Sequence, residues 1–180
     1  MVFAWRANCG KLMPMSGAIE RRSQPGTGQS ALALAGWLGL TFAAATVGGF
    51  FMPGEWYAGL KKPSWNPPNW IFGPVWTTLY AMMAVAAWLA WKRGGWVRQR
   101  TALTIFLVQL LLNALWSPLF FGMKHPGLAF VDIVLLWPAV LVTLVTFWRT
   151  TPLAGLLLVP YLAWVTFAGV LNFTLWQLNP

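Results

Sequence analysis

The sequence predicts an all-α integral membrane protein, a bundle of five membrane-crossing helices. Three observations carry that prediction. Of the 180 residues, 58% are hydrophobic, only 8% are charged, and the apolar residues gather in long continuous runs. Soluble domains carry about 25% charged residues. Disordered chains are poor in aromatics, whereas aromatics here reach 16%. A membrane barrel would show strand-like alternation, and these runs do not alternate.

Crossing the hydrocarbon takes about 20 apolar residues in a helix. Residues 30–52, 70–91, 101–121, 127–148 and 152–176 meet that length, and Asp132 is the sole formal charge inside them. The first run stops at Pro53-Gly54, and the second at Lys92-Arg93-Gly94-Gly95. Gly122-Met123-Lys124-His125-Pro126 parts the third from the fourth. Pro152 opens the fifth, where a missing N–H costs little. Connectors this short force the spans into one bundle, residues 30–180. Pro74, Pro118, Pro138 and Pro160 are expected kink positions. Small-xxx-small pairs such as Ala35/Gly39, Ala44/Gly48 and Ala86/Ala90 mark helix contacts, a homodimer surface among them.

The formal net charge of +9 is unevenly placed. Arg6, Lys11, Arg21, Arg22, Lys92, Arg93, Arg98, Arg100 and Arg149 fall on one side of the predicted bundle, and only Lys61, Lys62 and Lys124 on the other. The positive-inside rule then puts the N-terminus in the cytoplasm and the C-terminus outside. In so apolar a chain the basic excess reads as membrane rim, so no nucleic-acid partner is expected, and lipid is. Residues 1–29 read as a polar, basic, disordered tail; an organelle-targeting segment or an early start before Met13 or Met15 are the other readings.

Chemistry-bearing residues are few. One cysteine, Cys9, and one histidine, His125, lie far apart, which offers no metal cluster, disulfide or nucleophile–base pair. No metal and no required cofactor are expected. Asp132 sits near the start of span four, where the helix dipole favours an anion; Lys124 or an indole N–H is its expected partner.

Tryptophan is the anomaly, with 14 copies against 3 tyrosines. Interfacial belts explain some of them, and Trp37, Trp91, Trp96, Trp148 and Trp176 suit a belt or rim. The connector 53–69, PGEWYAGLKKPSWNPPN, is unusually rich in proline and aromatics. Pro63, Pro67 and Pro68 restrict its conformations, and it reads either as a belt element or as a lid. Helical spacing puts Gln109, Asn113 and Trp116 on one face, Trp76 with Tyr80 on another, and Tyr161, Trp164, Ala168, Leu171 and Asn172 on a third. At about 1.5 Å per residue, Asn113 and Ala168 lie roughly 12 Å inside the outer ends, deeper than a belt. Asn113 suits an interhelical hydrogen bond and a ligand contact equally. Trp56, Trp65, Trp70, Trp76, Trp116 and Trp164 are expected to gather at one outer mouth.

Three stretches carry a family resemblance: Gly54-Glu55-Trp56-Tyr57; Leu60-Lys61-Lys62-Pro63-Ser64-Trp65-Asn66-Pro67-Pro68-Asn69-Trp70; and Gly73-Pro74-Val75-Trp76-Thr77-Thr78-Leu79-Tyr80. Asn113-Ala114-Leu115-Trp116-Ser117-Pro118-Leu119-Phe120-Phe121-Gly122, Pro160-Tyr161-Leu162-Ala163-Trp164, Phe167-Ala168 and Leu171-Asn172 extend it over about residues 31–176. Together they resemble the TspO/MBR family of tryptophan-rich sensory and translocator proteins. The resemblance implies a five-helix bundle, usually dimeric, that binds tetrapyrroles such as protoporphyrin IX or haem, and in some members sterols. It implies a ligand site made of Trp56, Tyr57, Trp65, Trp76, Tyr80, Asn113, Trp116, Trp164, Ala168 and Leu171. Light-dependent porphyrin breakdown, ascribed to some members, would fall to Trp76 and Trp164. The sterol pattern of eukaryotic members needs a tyrosine followed by a basic residue near the C-terminus. Here Phe173 takes the aromatic position and no basic residue follows, which lowers the expectation of sterol transport. Lys61 and Lys62 are placed to meet the ring's propionates.

Overall fold

The structure, a computed structural model, describes residues 26–180. The expected tail lies outside the described residues, except that 27–29 already belong to the first helix. Seven helices follow in order: α1 Thr27–Phe50, α2 Glu55–Gly59, α3 Asn69–Lys92, α4 Gly95–Ser117, α5 Pro126–Thr150, α6 Pro152–Leu156 and α7 Val159–Leu178. Five helical spans are long and apolar enough to cross a membrane, the third running through α4 to Gly122 and the fifth through α6 and α7. The all-α bundle stands, and no strand occurs among the described residues.

Where expectation and structure differ, the cause is local. Span three begins six residues early, at Gly95: a short turn carrying Arg98 precedes the apolar run and joins it across a kink at Gln99, whose φ of −108° and ψ of 17° leave the helical region. Hydropathy sees only the lipid-immersed part of a helix. Gly94 and Gly95, at φ 140° and 67°, make the reversal before it, a backbone that side chains with Cβ avoid. Past Ser117, Pro118 cannot donate to the ladder, and the chain widens into a π-helical turn, Pro118–Gly122, closed by Met123 N–H donating to Pro118 O at 2.8 Å. Span five is broken at Leu157-Leu158, just ahead of Pro160. Pro74 and Pro138 stay inside α3 and α5.

α1 packs on α3 and α4, α4 on α3 and α5, and α5 on α6 and α7. Met83, Ala86, Ala87 and Ala90 form one fully buried stripe of α3; such small side chains let neighbouring helices approach closely. Phe106 of α4 and Phe147 of α5 stack against it, their rings 5.7 Å apart and nearly parallel. Trp37, expected at the rim, instead packs edge-on against Phe106 at 5.7 Å. Outward faces carry Leu111, Val131, Val134 and Val170, as a lipid-facing surface requires.

The two ends of the bundle are tied differently. Trp88 Nε1 donates to Ser30 O at 2.8 Å, joining the start of α1 to the end of α3. At the opposite end Asn179 grips the 53–69 connector: Lys61 N donates to its Oδ1 at 2.9 Å, and its Nδ2 donates to Lys61 O at 3.0 Å. Each bond contributes about 1 kcal/mol. Asn179→Ala should therefore free the connector, and trypsin should cut after Lys61 roughly tenfold faster; an unchanged cleavage rate would show that the grip does not hold the loop.

Candidate functional site

Beneath the connector the helices do not close on one another. They leave a cavity of about 590 Å³ bounded by α1, α3, α4, α5 and α7. Each wall follows from helical spacing. Phe72, Trp76 and Tyr80 lie four apart on α3; Asn113, Trp116 and Ser117 share a face of α4; Trp164, Ala168, Leu171 and Leu175 share one of α7. The π turn swings Phe120 and Phe121 under the connector, where Tyr57 rests on both rings at 6.2 and 5.5 Å.

The walls are mainly apolar, and no charged side chain lines them. Their polar atoms are largely committed to one another. Tyr80 Oη donates to Asn113 Oδ1, and Asn113 Nδ2 donates to Tyr161 Oη at 3.0 Å. Tyr161 Oη donates in turn to Gln109 Oε1 at 2.9 Å. Trp116 Nε1 donates to Asn172 Oδ1 at 3.0 Å, and Asn172 Nδ2 to Pro126 O at 2.8 Å. Asn113 thus makes interhelical hydrogen bonds and lines the cavity as well. Trp164 differs: its ring packs against Phe72 at 5.8 Å and Phe167 at 5.4 Å, while no described residue accepts from its buried Nε1.

Of the residues expected at a site, Tyr57, Trp76, Tyr80, Asn113, Trp116, Trp164, Ala168 and Leu171 line this cavity. Trp56 and Trp65 do not. Trp56 packs edge-on against the far side of Phe120, and Trp65 leans on Phe167 with 45% of its surface exposed. Trp70 points outward, 73% exposed. The expected gathering at the mouth therefore holds for Trp76, Trp116 and Trp164 and fails for Trp56, Trp65 and Trp70. A proline-rich segment has no repeat from which to read direction.

The lysines are also placed otherwise than expected. Lys62 Nζ donates to Ala58 O at 3.1 Å and sits 4.7 Å above the Tyr57 ring, so it fastens the connector to itself. Lys61 lines a separate open cleft with Trp56, Lys124 and His125. Burial raises the Tyr57 hydroxyl above the usual phenol range, an effect its 3.4 Å hydrogen bond to Asn66 Oδ1 opposes. Asp132 is buried, but neither Lys124 nor an indole meets its Oδ2. Lys124 precedes α5 with φ 54°, which carries it into the separate cleft. Among the described residues no three of His, Cys, Asp and Glu converge as a metal site would need.

Some of the walls were not foreseen. Phe42, Ala45, Gly48 and Gly49 of α1 and Ile133 and Leu136 of α5 line the cavity. Their spacing is helical, yet α1 carries little polarity to say which face turns inward; on α5 buried Asp132, beside Ile133 and one turn before Leu136, marks that face.

The model of the TspO/MBR family matches residues 37–177. The chain belongs to the TspO/MBR family. Its similarity to other proteins of that family spans most of their length. It is 49% identical to the tryptophan-rich protein TspO of Chlorobaculum tepidum over 155 residues, covering 83% of this chain and 97% of the relative. It is 46% identical to protein CrtK of Rhodobacter capsulatus over 140 residues, covering 76% and 86%. With the human translocator protein it shares 44% identity over 150 residues, covering 79% and 89%. Every wall of the cavity lies within the matched TspO/MBR segment.

Proposed function

We propose that this TspO/MBR membrane protein binds a tetrapyrrole, protoporphyrin IX or haem, in the 590 Å³ cavity, and acts through occupancy of that site as a sensor, transporter or scavenger. One observation carries the reading: Trp76, Trp116 and Trp164, from three different helices, line a single cavity together with Tyr80 and Asn113. A tetrapyrrole is a broad apolar disc with carboxylates on one edge. Indole and phenol rings supply flat apolar walls. With no charged side chain inside, the carboxylate edge belongs at an opening and the ring in the interior. The reading places the 92–95 turn and the N-terminal end of α1 on the cytoplasmic side, following the basic residues. It includes a homodimer, for which the small-residue face of α1 at Gly36 and Gly39, where nothing stands within 4 Å of an added Cβ, is a ready surface.

The test is a titration of protoporphyrin IX into the purified protein in lipid nanodiscs, followed by the porphyrin's own absorbance. Each aromatic contact is worth about 0.5–1.5 kcal/mol beyond its buried area, so Trp76→Phe/Trp164→Phe should weaken binding at least roughly tenfold. Unchanged affinity in a folded double variant would overturn the site. The same sample under light and dioxygen addresses the enzyme reading, which Trp76 and Trp164 lining one cavity favour. A product band that needs both tryptophans would add ring breakdown to binding.

A further inference from the structure

The cavity wall is uneven in exposure. Every lining residue from α2, α4, α5, α7 and the π turn is buried or half-buried. The exposed ones belong to α1, α3 and the two ends of the connector where it leaves α1 and enters α3, among them Phe42, Gly49, Met52, Pro53, Asn69, Gly73 and Thr77. Phe42 and Thr77 lie roughly 12 Å along their helices from the connector end, within the hydrocarbon depth of a membrane.

This slot has a structural cause. α1 is fastened to α3 at the far end by Trp88 and Ser30. At the connector end it leans on α4 instead, where an added Cβ on Gly48 would stand 3.2 Å from Ser117 Oγ. The two helices therefore diverge toward the connector, and Phe42 meets Tyr80 at the base of the gap at 6.3 Å. Two glycines, Gly49 and Gly73, border it with nothing within 4 Å of an added Cβ. Thr77 Oγ1 donates back to Gly73 O at 2.9 Å, so this edge keeps its hydroxyl occupied. Above the cavity, by contrast, the middle of the connector is fastened down. Asn179 grips Lys61, and Tyr57 is buried on Phe120 and Phe121.

We propose that the ligand reaches the cavity sideways from the hydrocarbon, through the slot between the connector-side halves of α1 and α3, with the middle of the connector staying fastened. The proposal rests on the tetrapyrrole reading for its ligand, and on the slot alone for its route. The admitted class is a flat, apolar molecule already dissolved in the bilayer, its polar edge trailing at the interface.

Two arms test it, both in a Cys9→Ser background in phosphatidylcholine nanodiscs. In the first, no porphyrin is present. Thr77→Cys should react at least tenfold faster with an apolar N-alkyl maleimide than with a charged methanethiosulfonate, each rate normalised to free cysteine. Equal normalised rates would mean that the slot opens to water and would overturn the route. In the second, a short bis-methanethiosulfonate linker, releasable by reductant, joins Lys61→Cys to Asn179→Cys. The association rate of protoporphyrin IX should then stay within twofold, and pyrene maleimide on Thr77→Cys should lower it at least tenfold. A tenfold loss on cross-linking the connector, restored on release, would overturn the route. If the unmodified protein binds no protoporphyrin IX, the tetrapyrrole reading fails, and the first arm still decides the slot.

Discussion

Asn113→Leu should destabilise the bundle by about 2 kcal/mol, read as a lower detergent concentration at the midpoint of unfolding from mixed micelles. The side chain sits at 6% exposure between α3 and α7, accepting from Tyr80 and donating to Tyr161. Leucine keeps the branched heavy-atom skeleton of asparagine, though its methyls are bulkier, and removes the hydrogen bonding. Tyr161 keeps Gln109 as its acceptor; Tyr80 keeps none among the described residues. Interhelical hydrogen bonds in membranes are worth about 0.6–2 kcal/mol. The upper part of that range applies here because a buried hydroxyl is stranded. Removing both partners of a bond is far milder than removing one. Tyr80→Phe/Asn113→Leu should accordingly recover most of the loss. A double variant as unstable as the sum of its singles would assign the cost to shape.

Gly155→Val should be as damaging for a steric reason. A Cβ at Gly155 would stand 2.7 Å from Trp148 Cβ and 2.8 Å from Trp148 Cα. Main chain cannot swing aside as a side-chain tip does, so α6 would be levered off the end of α5. Overpacking of this kind costs about 1–3 kcal/mol, and the backbone contact puts the expected loss near 3. Thermal unfolding in nanodiscs measures it. Gly28→Ala is the control, since a Cβ at Gly28 meets nothing within 4 Å; it should shift stability by less than about 0.5 kcal/mol. Equal effects at the two positions would disprove the steric account.

The legibility of this protein in its sequence divides along physical lines. Membrane spans were readable because hydrocarbon demands length and apolarity from each segment by itself. Helix faces were readable where a polar residue broke the monotony. Gln109, Asn113 and Trp116 announced one wall, and Tyr161 with Trp164 another, and these do line or support the cavity. Where little that is polar marks a face, as at Phe42, four sides of a helix read alike. The connector resisted for a different reason. Its tryptophans share a composition with the cavity but not a lattice, and Trp65 turns outward. Asp132 shows a further limit: proximity to Lys124 along the chain said nothing of where φ 54° would send the lysine.

The wide turn at Pro118–Gly122 has a consequence for how the chain tolerates change. An α-helix advances about 100° per residue, and a π turn is in effect an α-helix holding one residue too many. The turn therefore rotates everything after it by that angle relative to an uninterrupted α4. Phe120 and Phe121 face the cavity because of this phase offset. Losing Leu119 alone would restore a regular helix and carry both rings round the cylinder, away from Tyr57, although no aromatic had been substituted. In this stretch the number of residues is under as strict a constraint as their kind.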